Sequence, residues 1–284
     1  MFRGRWSWPV RFAPLLVVLV AISANDATGK PPASNAWSRV AAPSAGPAAA
    51  IGEFANGCVA GAAPLPLDGP GYAVVRPSRK RFYGHPELVD FVERLGARAA
   101  AAGLPVFYVG DMAQPRGGPL PFGHASHQTG LDADIWFTAD TRARPTAAER
   151  ETPVLPSMLL PDLSGVDPAR FGPRQVSLLR LAASDPRVDR IFVNPVIKLA
   201  LCRSDGGAWL RRIRPWWGHD DHFHVRLACP EGSPLCVPQR PAPDGDGCDA
   251  ALEAWAHDQK LPNAAGPPAK PKPPAACRAV LNSR

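Results

Sequence analysis

Five of the chain's seven histidines fall in two short windows. The first, "GHASHQTGLDADIWF" (residues 123–137), places His124 three residues before His127 and Asp134 seven residues after it. The second, "WWGHDDHFHVRL" (216–227), carries His219, His222 and His224. Two imidazoles and a carboxylate suit zinc, so His127, Asp134 and His224 are candidate ligands that leave a fourth position for water. Zinc lowers the pKa of such a water from 15.7 towards about 7 and polarises a carbonyl, which is chemistry for amide hydrolysis. His222, left off the metal, is a candidate catalytic proton carrier, because an imidazole pKa near 6.5 serves both directions of transfer. His219 either donates to a transition state or supports a neighbouring ligand, and His124 either ligates, orients a neighbour or lines the cleft. His85 and His257 read as surface residues.

These groups need two strands to hold them. In "LDADIWF" the apolar Leu131, Ala133, Ile135 and Phe137 alternate with Asp132, Asp134 and Trp136, and alternate side chains point to opposite faces of an extended chain. In "HFHVRL" Phe223, Val225 and Leu227 oppose His222, His224 and Arg226 in the same way. If the two strands pair with polar faces aligned, carboxylate and imidazoles converge, and His127 descends from the preceding loop. Around them, "HPELVDFVERLGARAAAAG" predicts a helix, with Pro86 in its first turn, Leu88, Phe91, Val92 and Leu95 at helical spacing, and Gly103 at its end. "PVFYVG" reads as a strand, "DMAQPRGGPLPFG" as a long loop, "RQVSLLRLAA" as a helix, "RIFVN" as a strand, and "PVIKLALC" as the start of another helix. Arg116 in that loop either pairs with a substrate carboxylate or is an ordinary solvated residue.

The 284 residues, 45% of them hydrophobic, admit a sizeable core. Residues 1–24 have a secretory-signal layout: Arg3, Arg5 and Arg11, then "FAPLLVVLVAI", then small residues. That apolar run falls short of the ~20 residues a membrane span needs, so cleavage rather than anchoring is expected, with no membrane span afterwards. Loss of the three arginines would lower the formal charge from +7 to +4. That mild basic balance suits a polyanionic wall or lipid surface, or simply a solvated face, and no basic cluster interleaved with aromatics points to nucleic acid. Residues 25–54 read as an Ala/Pro-rich linker, 55–237 as the folded domain, and 238–284 as a Pro-rich tail. Within the tail, "GPPAKPKPPAA" favours extended polyproline over helix. An even count of six cysteines, with no C-x-x-C pair, favours disulfides in an oxidising compartment over zinc thiolates. Six cysteines permit 15 pairings, of which Cys229 with Cys236 is the easiest local closure, while Cys58 must bridge something distant. Cys248 and Cys277 lie in the tail and predict that it is stapled back.

The two windows, in the longer forms "GHASHQTGLDADIWF" and "RPWWGHDDHFHVRLACP", together with "DPRVDRIFVNPVIKLALC", closely resemble the signature regions of the penicillin-insensitive murein endopeptidase family. That family is grouped with lysostaphin-type and D-alanyl-D-alanine metallopeptidases and the hedgehog domain. The shared signature of His, six residues, Asp, and a distant His-x-His falls on His127, Asp134, His222 and His224, and the resemblance runs from about Cys58 to Cys277. It implies an α+β fold, a small antiparallel sheet flanked by helices, and zinc held at His124, His127, Asp134 and His224. It also implies periplasmic export, peptidoglycan (crosslinked muropeptides) as substrate, and cleavage of the D-alanyl-meso-diaminopimelyl crosslink. Disulfides Cys58–Cys277, Cys202–Cys248 and Cys229–Cys236 are implied by the resemblance as well. A further Asp-x-x-His pair that can hold another metal in the family is broken here, where "DLSG" keeps Asp162 but has Gly165 in place of the histidine. Asp220 and Asp221 would make the cleft more acidic. The chain has no S-x-x-K, H-E-x-x-H or G-x-S-x-G, so no serine is offered for acylation by penicillin. A D,D-carboxypeptidase or dipeptidase is the rival enzyme, and a metal-containing wall-binding module the rival without catalysis; His222 beside the ligands favours turnover. Oligomeric state is not legible from the chain.

Overall fold

Strand parity sets the architecture. The computed structural model describes residues 34–140, 144–204, 206–258 and 271–283; the expected signal segment and part of the Pro-rich tail lie outside them. The strands are β1 (Ala49–Glu53), β2 (Asn56–Ala60), β3 (Ala63–Pro64), β4 (Asp68–Gly69), β5 (Tyr72–Val74), β6 (Tyr83–Gly84), β7 (Val106–Val109), β8 (Asp132–Asp140), β9 (Val188–Val193), β10 (Ile213–Pro215) and β11 (His222–Leu227). The α-helices are α1 (Pro86–Ala101), α2 (Ala147–Glu151), α3 (Pro173–Ala183), α4 (Pro195–Ser204), α5 (Ala250–Asp258) and α6 (Ala275–Asn282).

The main sheet has seven strands in the order β10-β9-β11-β8-β7-β5-β4. It is α+β but mixed rather than the antiparallel sheet expected: β9 and β10 run parallel, as do β5 and β7. A helix joins each of these pairs, α4 for the first and α1 for the second, and such a crossover is what a parallel connection requires. At its centre β11 pairs antiparallel with both β8 and β9. One face is apolar throughout: Ala133, Ile135 and Phe137 of β8, Phe223, Val225 and Leu227 of β11, and Ile191 and Val193 of β9 share a core with residues of α1, α3 and α4. The polar members of the same strands are left for the opposite face.

Helix α1 forms where its apolar spacing predicts, burying Leu88, Phe91, Val92, Leu95 and Ala99. His85, expected at the surface, is buried instead, because it caps α1 by accepting from the Glu87 N–H. His257 is exposed as expected.

One other expectation fails at the N-terminal edge of the domain. Residues 34–54 are not a linker where they are described: β1 pairs with β2, Trp37 is buried, and the Ala50 N–H donates to Ser233 Oγ. Prolines are spaced widely enough here that one short strand still finds a partner. Of "GPPAKPKPPAA", residues 271–274 are non-helical as expected, residues 266–270 lie outside the described residues, and only Ala275 and Ala276 enter α6, directly after Pro274 at its N-cap, a position where the ring costs no helical hydrogen bond. Cys58–Cys277, Cys202–Cys248 and Cys229–Cys236 are disulfides, the pairs that the resemblance implies. The first of these fastens α6 beneath β2.

Arg116 belongs to this fastening and not to a substrate site. It is buried, and its guanidinium donates to the carbonyls of Ala42, Val280, Leu281 and Ser283. The last three lie at the C-terminal end of α6, where helix carbonyls run out of intrahelical donors, although the Val280 carbonyl also accepts from the Ser283 N–H and hydroxyl. Replacing Arg116 by Met strips the Ala42, Leu281 and Ser283 carbonyls of this donor, and the expected loss is about 2–4 kcal/mol of unfolding free energy, read as a lower urea midpoint at unchanged slope.

Candidate metal centre

The register of β8 against β11 places the polar residues in facing rows. Asp134 lies opposite His224, Trp136 opposite His222, and Asp132 opposite Arg226. Directly opposed residues on one face are within side-chain reach, so two imidazoles and two carboxylates are gathered by backbone pairing alone. His127 arrives from the loop before β8 in a left-handed conformation with φ 65°, and its backbone N–H is held by Asp132 Oδ2 at 3.1 Å. Gly130 makes the bend between them possible: its φ is 71°, and a Cβ there would meet the backbone nitrogen of His85 at 2.9 Å.

The expected ligands come together. His127 Nε2 lies 3.4 Å and His224 Nδ1 3.2 Å from Asp134 Oδ1, while His124 Nε2 lies 3.2 Å from Oδ2 of the same carboxylate. One donor atom from each of His124, His127, Asp134 and His224 falls within 4.8 Å of all the others. Both ring nitrogens of His127, with Asp134 Oδ1 and His222 Nε2, are buried without a hydrogen-bond partner. Leaving a buried polar atom unmatched costs about 1–3 kcal/mol, and a divalent cation among these atoms would match several at once. The donor set, nitrogen and carboxylate oxygen without thiolate, suits zinc. Beside the cluster is a cleft of about 440 Å³ lined by His124, Ser126, Arg190, Phe192, Trp216 and His219.

Each of the three histidines in the second window has one ring nitrogen committed. His224 Nε2–H donates to Asp132 Oδ1 at 2.8 Å, which turns the Nδ1 lone pair towards Asp134. The same Asp132 oxygen accepts from Arg226 Nε at 2.6 Å. His222 Nδ1–H donates to Asp221 Oδ1 at 2.6 Å, so its Nε2 faces inward, 3.7 Å from Asp134 Oδ1. His219 Nδ1–H donates to the Trp217 carbonyl at 2.6 Å, with φ 54°. Asn194 holds that loop, accepting from Val196 N–H at the start of α4 and donating to Gly218 O.

Electrostatics follow from this packing. Burial opposes the charge on Asp134, yet the imidazoles of His127, His222 and His124 outweigh it and keep its carboxyl well below the ordinary range. Asp132 is lowered in the same way, with Arg226 and His224 overcoming burial. Burial also opposes protonation of His222, but Asp134 and the Asp221 hydrogen bond prevail and raise its pKa. His219 has no carboxylate of its own, so burial and the neighbouring His222 and His224 push it down to about 3. Its ring is therefore neutral at ordinary pH, and with Nδ1–H committed, Nε2 is an acceptor.

Two residues without an assigned part in the sequence reading take positions here. Asp132 orients His224 and His127 together; its signal is its place on the polar face of "LDADIWF". Asp221, expected only to add acidity, orients His222. Asp162 stands apart: it is exposed, bonded to Ser164, and borders a groove with Leu199, Arg203 and Glu253.

The chain matches the family model described as penicillin-insensitive murein endopeptidase over residues 50–282. It is 44% identical over 255 residues to the penicillin-insensitive murein endopeptidase of Haemophilus influenzae, covering 87% of this chain and 88% of the relative. The protein of that name from Klebsiella pneumoniae is 42% identical, over 93% of this chain and 97% of its own length. That from Yersinia enterocolitica is also 42% identical, over 94% and 96%.

Because Asp132 fixes the His224 tautomer and the His127 backbone, Asp132→Asn is expected to weaken zinc affinity about 10–100-fold. Competition with a chromophoric chelator reads the change, and His257→Ala should leave affinity unaltered.

Proposed function

The chain belongs to the penicillin-insensitive murein endopeptidase family, and on that premise we propose that it is a zinc-dependent endopeptidase hydrolysing the D-alanyl-meso-diaminopimelyl crosslinks of peptidoglycan. The observation that carries this reading is the convergence of His127, Asp134 and His224 beside a His222 whose Nε2 is free. Those three side chains are the metal ligands in this reading, and His124, on the partly open side against Asp134 Oδ2, is the fourth group within reach. Zinc bound there supplies Lewis-acid polarisation of a carbonyl and a lowered pKa for water.

The protein's own groups do the rest. Asp221 holds the His222 ring so that Nε2 faces the place where water attacks. His222 Nε2 takes the proton of that water and then delivers it to the leaving amine. His219 offers Nε2 only as an acceptor, so we assign it to orient a donor, either water or a substrate N–H, and not to stabilise an oxyanion. The cleft beside the cluster is bounded by Phe192, Trp216 and Arg190. No serine is acylated in this scheme, which accords with insensitivity to penicillin.

The fold is proposed to be of the hedgehog and D-alanyl-D-alanine peptidase type, on the support of the β8–β11 pair that carries both halves of the site. We place the signal at residues 1–24 and the start of the folded domain before Trp37 rather than at 55. Three disulfides support an oxidising compartment, which we take to be the periplasm. Among the described residues no helix is long and apolar enough to cross a membrane.

Crosslinked dimer muropeptides incubated with the zinc-loaded protein should yield monomers by mass spectrometry, and a chelator should abolish the release. Dimers with shortened ends would instead mark a carboxypeptidase. His222→Ala should retain zinc yet lose at least about 100-fold in cleavage; unchanged cleavage would remove the proton carrier from the scheme.

A further inference from the structure

Next to His222, on the side of Trp136, lies a residue that the metal chemistry leaves unused. Arg76 sits in the turn after β5, its guanidinium carbon 5.2 Å from the centroid of the Trp136 ring. That ring lies 4.9 Å from the ring of His222, so Arg76 reaches the edge of the reacting centre. Among the described residues the Arg76 guanidinium makes no hydrogen bond or ion pair; it packs on the Trp136 face, while the backbone N–H donates to the Arg150 carbonyl and the backbone carbonyl accepts from the Arg79 N–H. Asp111 and Asp221 are near enough to be felt by its charge, but neither lies within pairing distance. The neighbouring arginines differ: Arg79 and Arg81 both turn to Asp111, and Arg81 also stacks on Phe122. An arginine with a half-buried guanidinium and five uncommitted donors is an unspent anion receptor.

Its backbone is forced into place. Arg76 has φ 55° and ψ 45° and precedes Pro77, a left-handed conformation costly for a residue with a Cβ. Among the described residues five non-glycines have positive φ, and two of the others are His127 and His219. Strain of this kind persists only where surrounding structure overrides it. Here α2 does so from outside: Arg150 clamps Asp68 with two hydrogen bonds and donates to the Leu67 and Val74 carbonyls, while Glu151 binds Ser78. The turn is fixed, and Arg76 is aimed at Trp136.

We propose that Arg76 is a carboxylate-recognition residue on the Trp136 side of His222, taking the free carboxylate on the diaminopimelyl centre that carries the leaving amine. The proposal rests on the endopeptidase reading above. In that crosslink the scissile nitrogen and this carboxylate share one carbon, so a substrate with its carbonyl at the cluster brings an anion within reach of a guanidinium one aromatic ring from His222. Bidentate pairing would fix which side of the amide faces His222 Nε2, and so orient the leaving nitrogen for the proton it must receive.

Two crosslinked dimers test this: one with that carboxylate free and one with it converted to the primary amide. For the zinc-loaded wild type, amidation is expected to lower kcat/KM about 10–100-fold, the usual value of a charge-assisted pair. Arg76→Gln should lose a similar factor on the free dimer and cleave both dimers at equal rates, whereas Arg76→Lys should retain part of the preference. Zinc content and melting temperature of the variants should match wild type. Wild type indifferent to amidation, or Arg76→Gln retaining the preference, overturns the subsite alone, and the wild-type arm needs no variant to fold. Failure of wild type to release monomer from either dimer overturns the endopeptidase reading and the subsite with it.

Discussion

The pairing of β8 with β11 in a single register is the constraint from which the site follows. Side chains alternate with period two, so a slip of one residue would send Asp132 and Asp134 into the core and bring Ala133 and Ile135 to the cleft. The apolar face prevents it. Ala133, Ile135, Phe137, Phe223 and Val225 are fully or almost fully buried against the helices, and burying side chains of that size contributes roughly 1.5–3 kcal/mol each for the larger ones. The hydrophobic core therefore fixes the positions of polar groups on the other side of the sheet, and the active geometry is a by-product of apolar packing.

This explains why so much of the site was legible beforehand. Period-two patterning exposes a polar face directly, so Asp134, His222 and His224 could be placed on one surface from "LDADIWF" and "HFHVRL" without any knowledge of the fold. His127 and His219 were legible only as residue types, because the left-handed backbone that aims each ring depends on contacts made elsewhere: Asp132 and Gly130 for His127, Asn194 for His219. The mixed sheet was missed since strand direction is decided by crossovers, and helix α1 alone does not say where the chain returns. Arg116 shows the same limit. Sequence marks it as an arginine in a Pro-containing loop, and only the tertiary structure shows that it is saturated by carbonyls, while Arg76 carries no sequence signal of its position beside Trp136.

Three histidines in one window acquire different properties from their surroundings. Asp132 makes His224 present Nδ1, Asp221 makes His222 present Nε2 and together with Asp134 raises its basicity, and burial beside the other imidazoles leaves His219 weakly basic. A neutral carbonyl stabilises an imidazolium far less than a carboxylate does. The difference between a ring that can carry a proton and one that stays neutral follows from Asp134 and Asp221 outweighing burial at His222, where His219 has only a carbonyl behind it to set against burial and two neighbouring imidazoles.

Arg226 completes the charge pattern. Asp132 and Asp134 are buried two residues apart on the same face, and two uncompensated carboxylates there would repel and drive one to take up a proton. The Arg226 Nε bond to Asp132 neutralises the orienting carboxylate, and Phe54 and Phe192 pack against the guanidinium, shielding that pair from water. What remains facing the imidazoles without an arginine of its own is the carboxylate of Asp134. A divalent cation held there by neutral rings would keep one positive charge in excess, and that residual charge could polarise a carbonyl; with both carboxylates unpaired it would be cancelled. The arginine opposite Asp132 in the strand register would therefore leave such a cation unquenched while the aspartate still orients His224 and His127.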